Sequence, residues 1–449
     1  MACAVLLFVT PLTAATIKND DSCDIGTYPA ATLLLPYFEV ELARQTQSTI
    51  FSITNVSPAP QIARVTIWTD WAFPVISFNL FLTGYDVQPI NLYDVFLRGI
   101  IGGATGTSTS APNARDSTGR STNPNIGTTP LTNLANPNFL PSVANECARG
   151  RLPGVIPASI ATDIRALVST GRSTGVGISC RDANGVEQQV GGNHGGTVAI
   201  GYVTIDVVAT CSAYLPTDAR YWNEILFDNV LTGDYQQIAS DPATGNYAGG
   251  NPMVHIRAIP EGGDAGSTAA AALPFTFYDR YTSNDRRQPV PSTFAARWIS
   301  GSNATFDTHY KIWREGVLSA GAACNRYAEN SSLSFGEIAR FDEHENAWIT
   351  RPCSICIPGP PPIGFLPVTS RIPISNALFP VNASTDLGGW TYFNLNSGGI
   401  GLRKVSQNWV VVSMFAEGRF GVESDATSLG NGCSPAAALT QTTPIGPAH

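Results

Sequence analysis

The sequence predicts an all-β protein made mainly of antiparallel sheets, a β-sandwich or jelly-roll-like fold with a few short helices and long loops. Short segments of alternating apolar and polar residues recur along the chain, and turn-forming residues separate them. Charged residues make up only 13% of the chain, against about 25% in an average soluble protein. Thr, Ser, Asn, Gln and Gly supply the polar surface instead, as in many extracellular β proteins.

Residues 1–15 have the pattern of a signal peptide. An apolar run over 4–9 is followed by small residues that include Thr13 and Ala15, which favours cleavage after Ala15. We therefore expect a secreted, extracellular or cell-surface protein, with the periplasm as another possible location. No later stretch reaches the ~18 apolar residues of a membrane helix, so we expect no transmembrane segment.

The cysteines predict disulfides. The chain has nine cysteines, and loss of Cys3 with the signal peptide leaves an even set. In an exported protein such a set favours up to four disulfides, with about a hundred pairings open. The candidates are Cys23, a group formed by Cys147, Cys180 and Cys211, and a second group formed by Cys324, Cys353, Cys356 and Cys433. Prolines on both sides of Cys353-x-x-Cys356 favour an extended structural segment over a redox helix.

Residues 16–100 are predicted to form an N-terminal β unit. Four strand candidates precede a short helix capped by Asn91: Thr32–Leu42, Thr49–Asn55, Ile62–Trp71 and Ile76–Thr83. In the third candidate, Val65 and Ile67 alternate with Thr66 and Trp68, which predicts one face more buried than the other. Residues 101–142 then change to Gly, Thr, Ser, Asn and Pro, and we expect a flexible loop or linker there.

Residues 143–433 are predicted to form a larger β region stabilised by disulfides. Ser159 caps a helix in this prediction, 182–185 turn a hairpin, and Asp218 caps a short helix. The segment 197–211 is apolar on both faces, which predicts a central, covered strand. Whether this region shares a sheet with the N-terminal unit stays open.

The rest of this region carries further strand candidates and one predicted helix. The strand candidates are Val254–Ile259, Phe275–Tyr281, Phe294–Ile299, Phe306–Trp313, Trp390–Leu395, Trp409–Ala416 and Gly418–Val422. Ser334 and Glu337 fit a capping box, which predicts a helix carrying Ile338 and Phe341. The proline-rich residues 352–367 predict an extended strap, and 434–449 a loose tail.

Charge and motifs argue against two classes of function. The formal net charge is −8 and basic residues do not cluster, so we expect no nucleic-acid partner. Gly171–Gly175 matches G-x-S-x-G, but a helix is predicted before it where a nucleophile elbow needs a strand. The sequence thus leans towards a protein that is not an enzyme, without deciding the point.

Two segments are candidates for binding. Trp68, Asp70 and Trp71 would offer indole rings and a carboxylate to a sugar, although the two tryptophans fall on opposite strand faces. Asp342, Glu343, His344 and Glu345 form the densest group of possible metal ligands, although neighbours in an extended chain diverge. Ca²⁺ is the ion considered, since Asp20, Asp21, Asp24 and the segment 241–251 also offer oxygen ligands; no other cofactor is expected.

Three functions remain open from the sequence. The first is a non-enzymatic structural, adhesive or binding protein with an unknown surface partner. The second is a carbohydrate-binding or glycoside-hydrolysing protein, which the eight tryptophans and the acidic balance motivate. The third is a self-assembling filament or layer subunit, a homo-oligomer joined by strand addition.

Overall fold

The computed structural model describes most of the predicted β regions. The described residues are 24–101, 156, 158–175, 180–182, 184–210, 214–216, 218–241, 245–259, 261, 276–278, 285–301, 306–315, 335–350, 368–376, 378–379, 386–396, 406–416 and 420–430. The predicted signal peptide, the strap and the tail lie outside these residues, as does the predicted loop beyond residue 101.

The described residues form strands and few helices. The strands are β1 (Thr32–Glu41), β2 (Gln47–Asn55), β3 (Gln61–Thr69), β4 (Pro74–Leu82), β5 (Val87–Asn91), β6 (Val198–Val207), β7 (Leu231–Asp241), β8 (Gly245–Pro252), β9 (Val254–Ile256), β10 (Thr293–Ile299), β11 (Phe306–Arg314), β12 (Glu337–Asp342), β13 (Ala347–Thr350), β14 (Thr369–Pro373), β15 (Gly388–Asn394), β16 (Asn408–Ala416), β17 (Phe420–Asp425) and β18 (Thr427–Ser428). The helices are α1 (Ala158–Thr170), α2 (Ala219–Trp222) and a π-helical turn, Asp94–Arg98.

The strands pair in antiparallel fashion in four sheets. Their orders are β4-β3-β6-β1-β9, β5-β2-β7-β8, β13-β12-β15-β10-β18 and β14-β11-β16-β17. The predicted all-β, sandwich-like fold is therefore confirmed. The first sheet takes strands from both predicted regions, since β9 pairs with β1 over Leu34↔Val254.

The first sheet lies between two hydrophobic cores. On β3, Val65 and Ile67 belong to the first core, together with residues of β2, β7 and α1. Trp68 belongs to the second core, which gathers side chains of β10, β11, β12, β15 and β16. Because both faces of the sheet are covered, β3 is buried on both sides, and the expectation that one of its faces is more buried than the other is wrong. The predicted central strand at 197–211 is β6, third of the five strands.

Helix α1 follows its sequence pattern. Ile160, Ile164 and Leu167 recur every three to four positions, and all three are buried in the first core. The helix begins at Ala158, so Ser159 lies in its first turn and does not cap it. Gly171 follows the helix with a φ of 69°, where an L side chain would be strained, and an added Cβ would lie 1.9 Å from the Gly191 oxygen.

Two predicted elements in the second region differ from the structure. The capping box is wrong, because Glu337–Asp342 is strand β12, whose Ile338 and Arg340 lie opposite Phe393 and Thr391 of β15. Pairing with a buried strand overrides the local helix signal there. The predicted strand 275–281 is also wrong where it is described, since 276–278 form irregular chain and a turn.

Two further features bear on export and membranes. Cys180 is buried and disulfide-bonded, while the other cysteines lie outside the described residues, so the predicted pairing stays a prediction. Of the helices in the described part of the chain, none has the length and apolarity needed to cross a membrane.

Candidate functional site

Trp390 has the most exposed indole of the eight tryptophans. Its side chain is 46% exposed, although it lies in β15, the middle strand of the five-stranded sheet β13-β12-β15-β10-β18. By contrast, six other tryptophans are buried: Trp68, Trp71, Trp222, Trp298, Trp313 and Trp409. An indole that stays exposed in the middle of a sheet does not contribute to a hydrophobic core. Exposed apolar side chains of this size can mark a binding surface, so the surroundings of Trp390 form the candidate site.

Trp390 lies in a row of side chains that crosses three strands. The pairing register places Phe341 of β12 opposite Trp390 on one side and Arg297 of β10 on the other. Directly opposed residues of an antiparallel pair project from the same face of the sheet. The neighbouring Thr391 and Phe393 project from the other face, and both are buried. The row therefore lies on the outer face.

The exposed part of this face is confined to one end of the sheet. In the next row, Ala339, Tyr392 and Ala295 lie side by side in the register, and each is at most 9% exposed. At the opposite end, Leu387 precedes the strand and is 59% exposed. Trp390 thus lies between covered sheet and the loop that enters β15.

An exposed ion pair borders the indole. Arg297 and Glu343 approach to 3.1 Å, with side chains 61% and 51% exposed. Glu343 belongs to the turn that connects β12 to β13, so this turn and the row of side chains meet at the same edge. The pair places a guanidinium and a carboxylate beside the aromatic ring.

Asp342 shapes the β12–β13 turn. Its Oδ1 accepts hydrogen bonds from the backbone N–H groups of His344 and Asn346, each at 2.9 Å, and its Oδ2 accepts one from Asn346 Nδ2. Glu345 adopts a φ of 64°, the left-handed conformation that closes the turn. A buried aspartate that accepts successive amides is the physical reason that this polar segment forms a tight turn.

Asp386 joins this turn to the loop before β15. Its Oδ2 accepts hydrogen bonds from the backbone N–H of Glu343 at 3.0 Å and from His344 Nδ1 at 2.9 Å. The hydrogen bond and the charge of Asp386 raise the pKa of the His344 imidazole. Since the His344 side chain is 75% exposed, the ring remains accessible to a ligand.

Asp342, His344 and Asp386 could also hold a metal ion. One ligand atom from each lies within 4.8 Å of the others. The structure thus brings together two of the four predicted ligands and adds Asp386, while Glu343 pairs with Arg297. An imidazole with two carboxylates suits zinc better than the calcium that the sequence suggested. The same oxygens already accept the hydrogen bonds of the turn, so the metal site stays a prediction.

The other predicted binding segment is buried. Trp68 and Trp71 are 2% and 7% exposed. Trp68 stacks on Tyr202 at 5.5 Å between ring centroids, and its Nε1 donates to Thr204 Oγ1 at 2.8 Å. Asp70 accepts the Gly192 N–H at 2.8 Å and lies 3.1 Å from His194 Nε2. These atoms attach the 190–194 loop to the end of β3, and ligand binding by this segment stays a prediction.

An aromatic pocket lies behind Trp68. Trp68, Tyr202, Phe277, Tyr278 and Trp313 contribute to its lining, and it encloses about 260 Å³, part of it open to solvent. Trp313 Nε1 is buried without a hydrogen-bond partner. The rings pack against one another, with Tyr202 and Trp313 at 6.0 Å and Phe277 and Trp313 at 5.9 Å. Only about 10 Å³ of this space is free to take a water-sized molecule, room for about one water and not for a ligand.

The serine of the G-x-S-x-G match has a structural role. Ser173 follows helix α1, and its hydroxyl donates to Asp163 Oδ1 at 2.9 Å. Thr174 Oγ1 donates to the same oxygen at 2.6 Å. The buried Asp163 therefore fixes the chain that leaves the helix, and the strand-then-helix setting of a nucleophile elbow is not found around Ser173.

Sequence reasoning missed four residues of the site: Arg297, Phe341, Asp386 and Trp390. Phe341 was expected on a helix and not in a binding surface. Trp390 was treated only as part of a strand, yet alternation with Phe393 already places the two on opposite faces. Arg297 and Asp386 join the site through strand pairing and a loop contact, 93 and 4 positions from Trp390 by sequence number. Only strand pairing and loop contacts in the folded chain show that Arg297 and Asp386 belong to the site.

The fold and the site together define a class: an all-β protein of layered antiparallel sheets with an exposed aromatic and polar surface at one end of a sheet. Comparisons of the chain with protein-family profiles, with curated proteins and with solved structures found no match.

Proposed function

We propose that this protein is a non-enzymatic binding protein that recognises carbohydrate through the Trp390 surface. This surface consists of Arg297, Phe341 and Trp390, with Glu343, His344 and Asp386 at its edge. The observation that supports the proposal is the exposed indole in the middle of a sheet, in register with an arginine and bordered by carboxylates. The proposal joins the binding role and the carbohydrate class that the sequence left open.

A sugar ring has the chemistry that this surface complements. Its C–H groups pack on the flat face of an indole, and burying them is favourable because apolar surface leaves water. Its hydroxyls donate to the carboxylate oxygens of Glu343 and Asp386 and accept from the Arg297 guanidinium. A rigid strand holds the aromatic ring, which limits the entropy lost on binding.

The carboxylates favour binding over hydrolysis. Glycoside hydrolysis uses two carboxyl groups, one of them commonly kept protonated as the acid. Here Glu343 pairs with Arg297, and Asp386 accepts hydrogen bonds from His344 and a backbone amide. Both carboxylates are therefore already engaged by neighbouring donors or cations, which favours a role in binding over the role of the acid.

Export belongs to the same proposal. A glycan-binding protein meets its ligands outside the cytosol, and residues 1–15 together with the cysteine set favour that compartment. The ligand is accordingly proposed to be a polysaccharide or glycoconjugate at or near a cell surface.

The test is a glycan array probed with the purified protein and two variants. We expect wild type to bind a set of glycans, and Trp390→Ala to lose at least ~10-fold in affinity, because the stacking surface is removed. The matched control is Val422→Ala, which truncates a side chain that is 58% exposed on β17, in another sheet. Absence of glycan binding by the folded wild type, or equal binding by Trp390→Ala, contradicts the proposal.

A second arm of the array separates a metal-dependent site from a metal-independent one. We expect binding to survive EDTA, because Asp342 and Asp386 accept hydrogen bonds that hold the turn without an ion. Loss of binding in EDTA that zinc restores would instead make Asp342, His344 and Asp386 part of the ligand site as metal ligands.

A further inference from the structure

A buried lysine lies where two sheets meet. Lys311 of β11 has a side chain that is 2% exposed. Its Nζ donates to Gln237 Oε1 of β7 at 2.5 Å and pairs with the carboxylate of Glu423 on β17. The chain contains only two other lysines, Lys18 and Lys404. The Lys311 amine thus contacts both the Gln237 carboxamide and the Glu423 carboxylate.

The surroundings exclude water from these three groups. The Glu423 side chain is fully buried and also accepts hydrogen bonds from Ser413 Oγ at 3.1 Å and Asn251 Nδ2 at 3.3 Å. Gln237 is buried, and its Nε2 donates to the backbone carbonyl oxygen of Tyr37 at 2.9 Å. Because each group is held by more than one neighbour, their mutual positions are fixed before any reaction.

The amine is set to act as a nucleophile. Burial lowers the pKa of the Lys311 amine, and the charge and hydrogen bond of Glu423 oppose this change. A desolvated lysine reacts in its neutral form, with a lone pair on Nζ. Glu423 is in contact with that nitrogen and accepts the proton that the amine must lose.

We propose that Lys311 and Gln237 condense spontaneously in the folded protein to form an isopeptide bond between β11 and β7, with Glu423 as the proton carrier. This proposal does not depend on the Trp390 surface. It assigns a covalent modification to a cluster that would otherwise be read as a buried ion pair.

The step balances without an added reagent. Glu423 takes a proton from the Nζ ammonium, and the freed lone pair attacks Cδ of Gln237, so that an Nζ–Cδ bond forms. Glu423 gives this proton to Nε2, the Cδ–Nε2 bond breaks, and ammonia leaves. The second proton that Nζ must lose to become an amide nitrogen then passes to the Glu423 carboxylate, which is left neutral. Nothing is oxidised or reduced, and exclusion of water protects the acyl carbon from hydrolysis to glutamate.

The bond would join two sheets through their side chains. Gln237 belongs to sheet β5-β2-β7-β8, and Lys311 and Glu423 belong to sheet β14-β11-β16-β17. The two residues are 74 positions apart. A permanent link at this junction would hold the sheets together under mechanical load, which suits a protein attached to a surface.

The test is the intact mass of the natively purified full chain, measured after reduction and alkylation. We expect a mass below that of the mature sequence by one ammonia. Tryptic mapping is expected to yield a branched peptide that joins Lys311 to Gln237, with no cleavage after Lys311. An intact mass equal to that of the sequence overturns the proposal, as does a link from Lys311 to Asn251, or to Glu423 with loss of water.

Variants separate this bond from other losses of ammonia. Lys311→Arg keeps the positive charge but cannot form the bond, so it is expected to have the full sequence mass, whereas Lys404→Arg retains the deficit. Glu423→Gln is expected to leave the two side chains unlinked. A deficit that persists in folded Lys311→Arg overturns the assignment, and a link that forms equally in Glu423→Gln overturns the role of Glu423. The wild-type mass decides the main question even if the variants fail to fold.

Discussion

Asp425, at the end of β17, is a carboxyl group whose ionisation opposes folding. Burial raises its pKa to about 6, and nearby Glu423 acts in the same direction, while the Trp409 Nε1 hydrogen bond at 2.9 Å lowers it. An unfolded aspartate has a pKa of about 3.9. The folded state therefore holds the proton more tightly than the unfolded state.

We predict that Asp425→Asn removes a specific pH dependence of stability. Asp425 stabilises the fold fully below pH ~4, and this contribution is lost as the pH rises through about 6. Asn keeps an acceptor for Trp409 but does not ionise. Urea unfolding should show that wild type loses on the order of 2 kcal/mol relative to the variant between pH 4.5 and about 7.5. An identical pH slope in both proteins would show that Asp425 ionises freely.

The burial of a charged side chain and its partners cannot be read from the sequence around that residue. Arg287 is 1% exposed and pairs with Asp206 at 2.9 Å and with Asp285 at 2.6 Å. Asp206 also accepts the Tyr221 hydroxyl at 2.5 Å. The Arg286-Arg287 dipeptide is the most basic spot of the sequence, and only the fold shows that Arg287 is buried and pairs with Asp206, 81 positions away.

At the scale of elements, β6 depends on close contact with its neighbours. Gly201 pairs with Phe38 of β1 and Thr69 of β3, near the irregularity in β1 between Leu35 and Phe38. An added Cβ would lie 2.0 Å from the Trp68 oxygen, which is backbone and cannot move aside alone. Glycine in a central strand marks this close approach.

We predict that Gly201→Ala destabilises the protein by about 3 kcal/mol or more, as overpacking against fixed backbone does. The matched control is Gly250→Ala on β8, whose added Cβ would lie 3.2 Å from the flexible Gln236 side chain and at an ordinary contact distance of 3.5 Å from the Tyr235 backbone oxygen. The control should cost less than about 1 kcal/mol. Guanidinium unfolding measures both, and equal small effects would mean that the sheet can separate at this point.

Four of the eight edge strands in the described part of the chain have features that oppose strand addition, whereas β4 and β8 are edge strands of nine and eight residues. Among the described strands, β9, β13 and β18 lie at sheet edges and span only three, four and two residues. The edge strand β5 contains Pro89, which has no N–H to offer a further strand. Short edges and a proline are the devices that keep sheets from pairing between molecules.

The sequence predicted those strands that are rich in apolar and β-branched residues. β1, β2, β3 and β16 lie within one or two residues of their predicted bounds. Of these, only β2 alternates between buried and partly buried side chains, whereas β1, β3 and β16 are largely buried on both faces. β7 and β8 were not predicted, since polar residues such as Gln236, Gln237 and Asn251 interrupt the pattern. In β12 the capping residues suggested a helix, and pairing with β15 decided otherwise.

At the scale of the whole molecule, the first sheet connects the two cores. Leu33 and Leu35 of β1 lie in the first core, and Leu34 between them lies in the second. Because the strands of this sheet contribute side chains to both cores, unfolding of one core would also disrupt the other. The candidate site and the Lys311 cluster are both built on sheets that share these cores.

We predict a single cooperative unfolding transition. Calorimetry, tryptophan fluorescence and far-UV circular dichroism should give one common midpoint, because the two cores share strands. The proposed Lys311–Gln237 bond would raise that midpoint in wild type relative to Lys311→Arg, since closing a loop of 74 residues contributes about 4 kcal/mol in chain-entropy terms. Two well-separated transitions would show that the cores unfold independently.

Under the proposed function, a glycan ligand binds at one end of the sheet β13-β12-β15-β10-β18. Hydrogen–deuterium exchange, with and without the strongest oligosaccharide from the array, maps that contact on the unmodified protein. We expect the oligosaccharide to protect backbone amides from exchange mainly in peptides that cover 339–347 and 386–392. Protection centred instead on 68–71 and 190–194, with no change around Trp390, would contradict it.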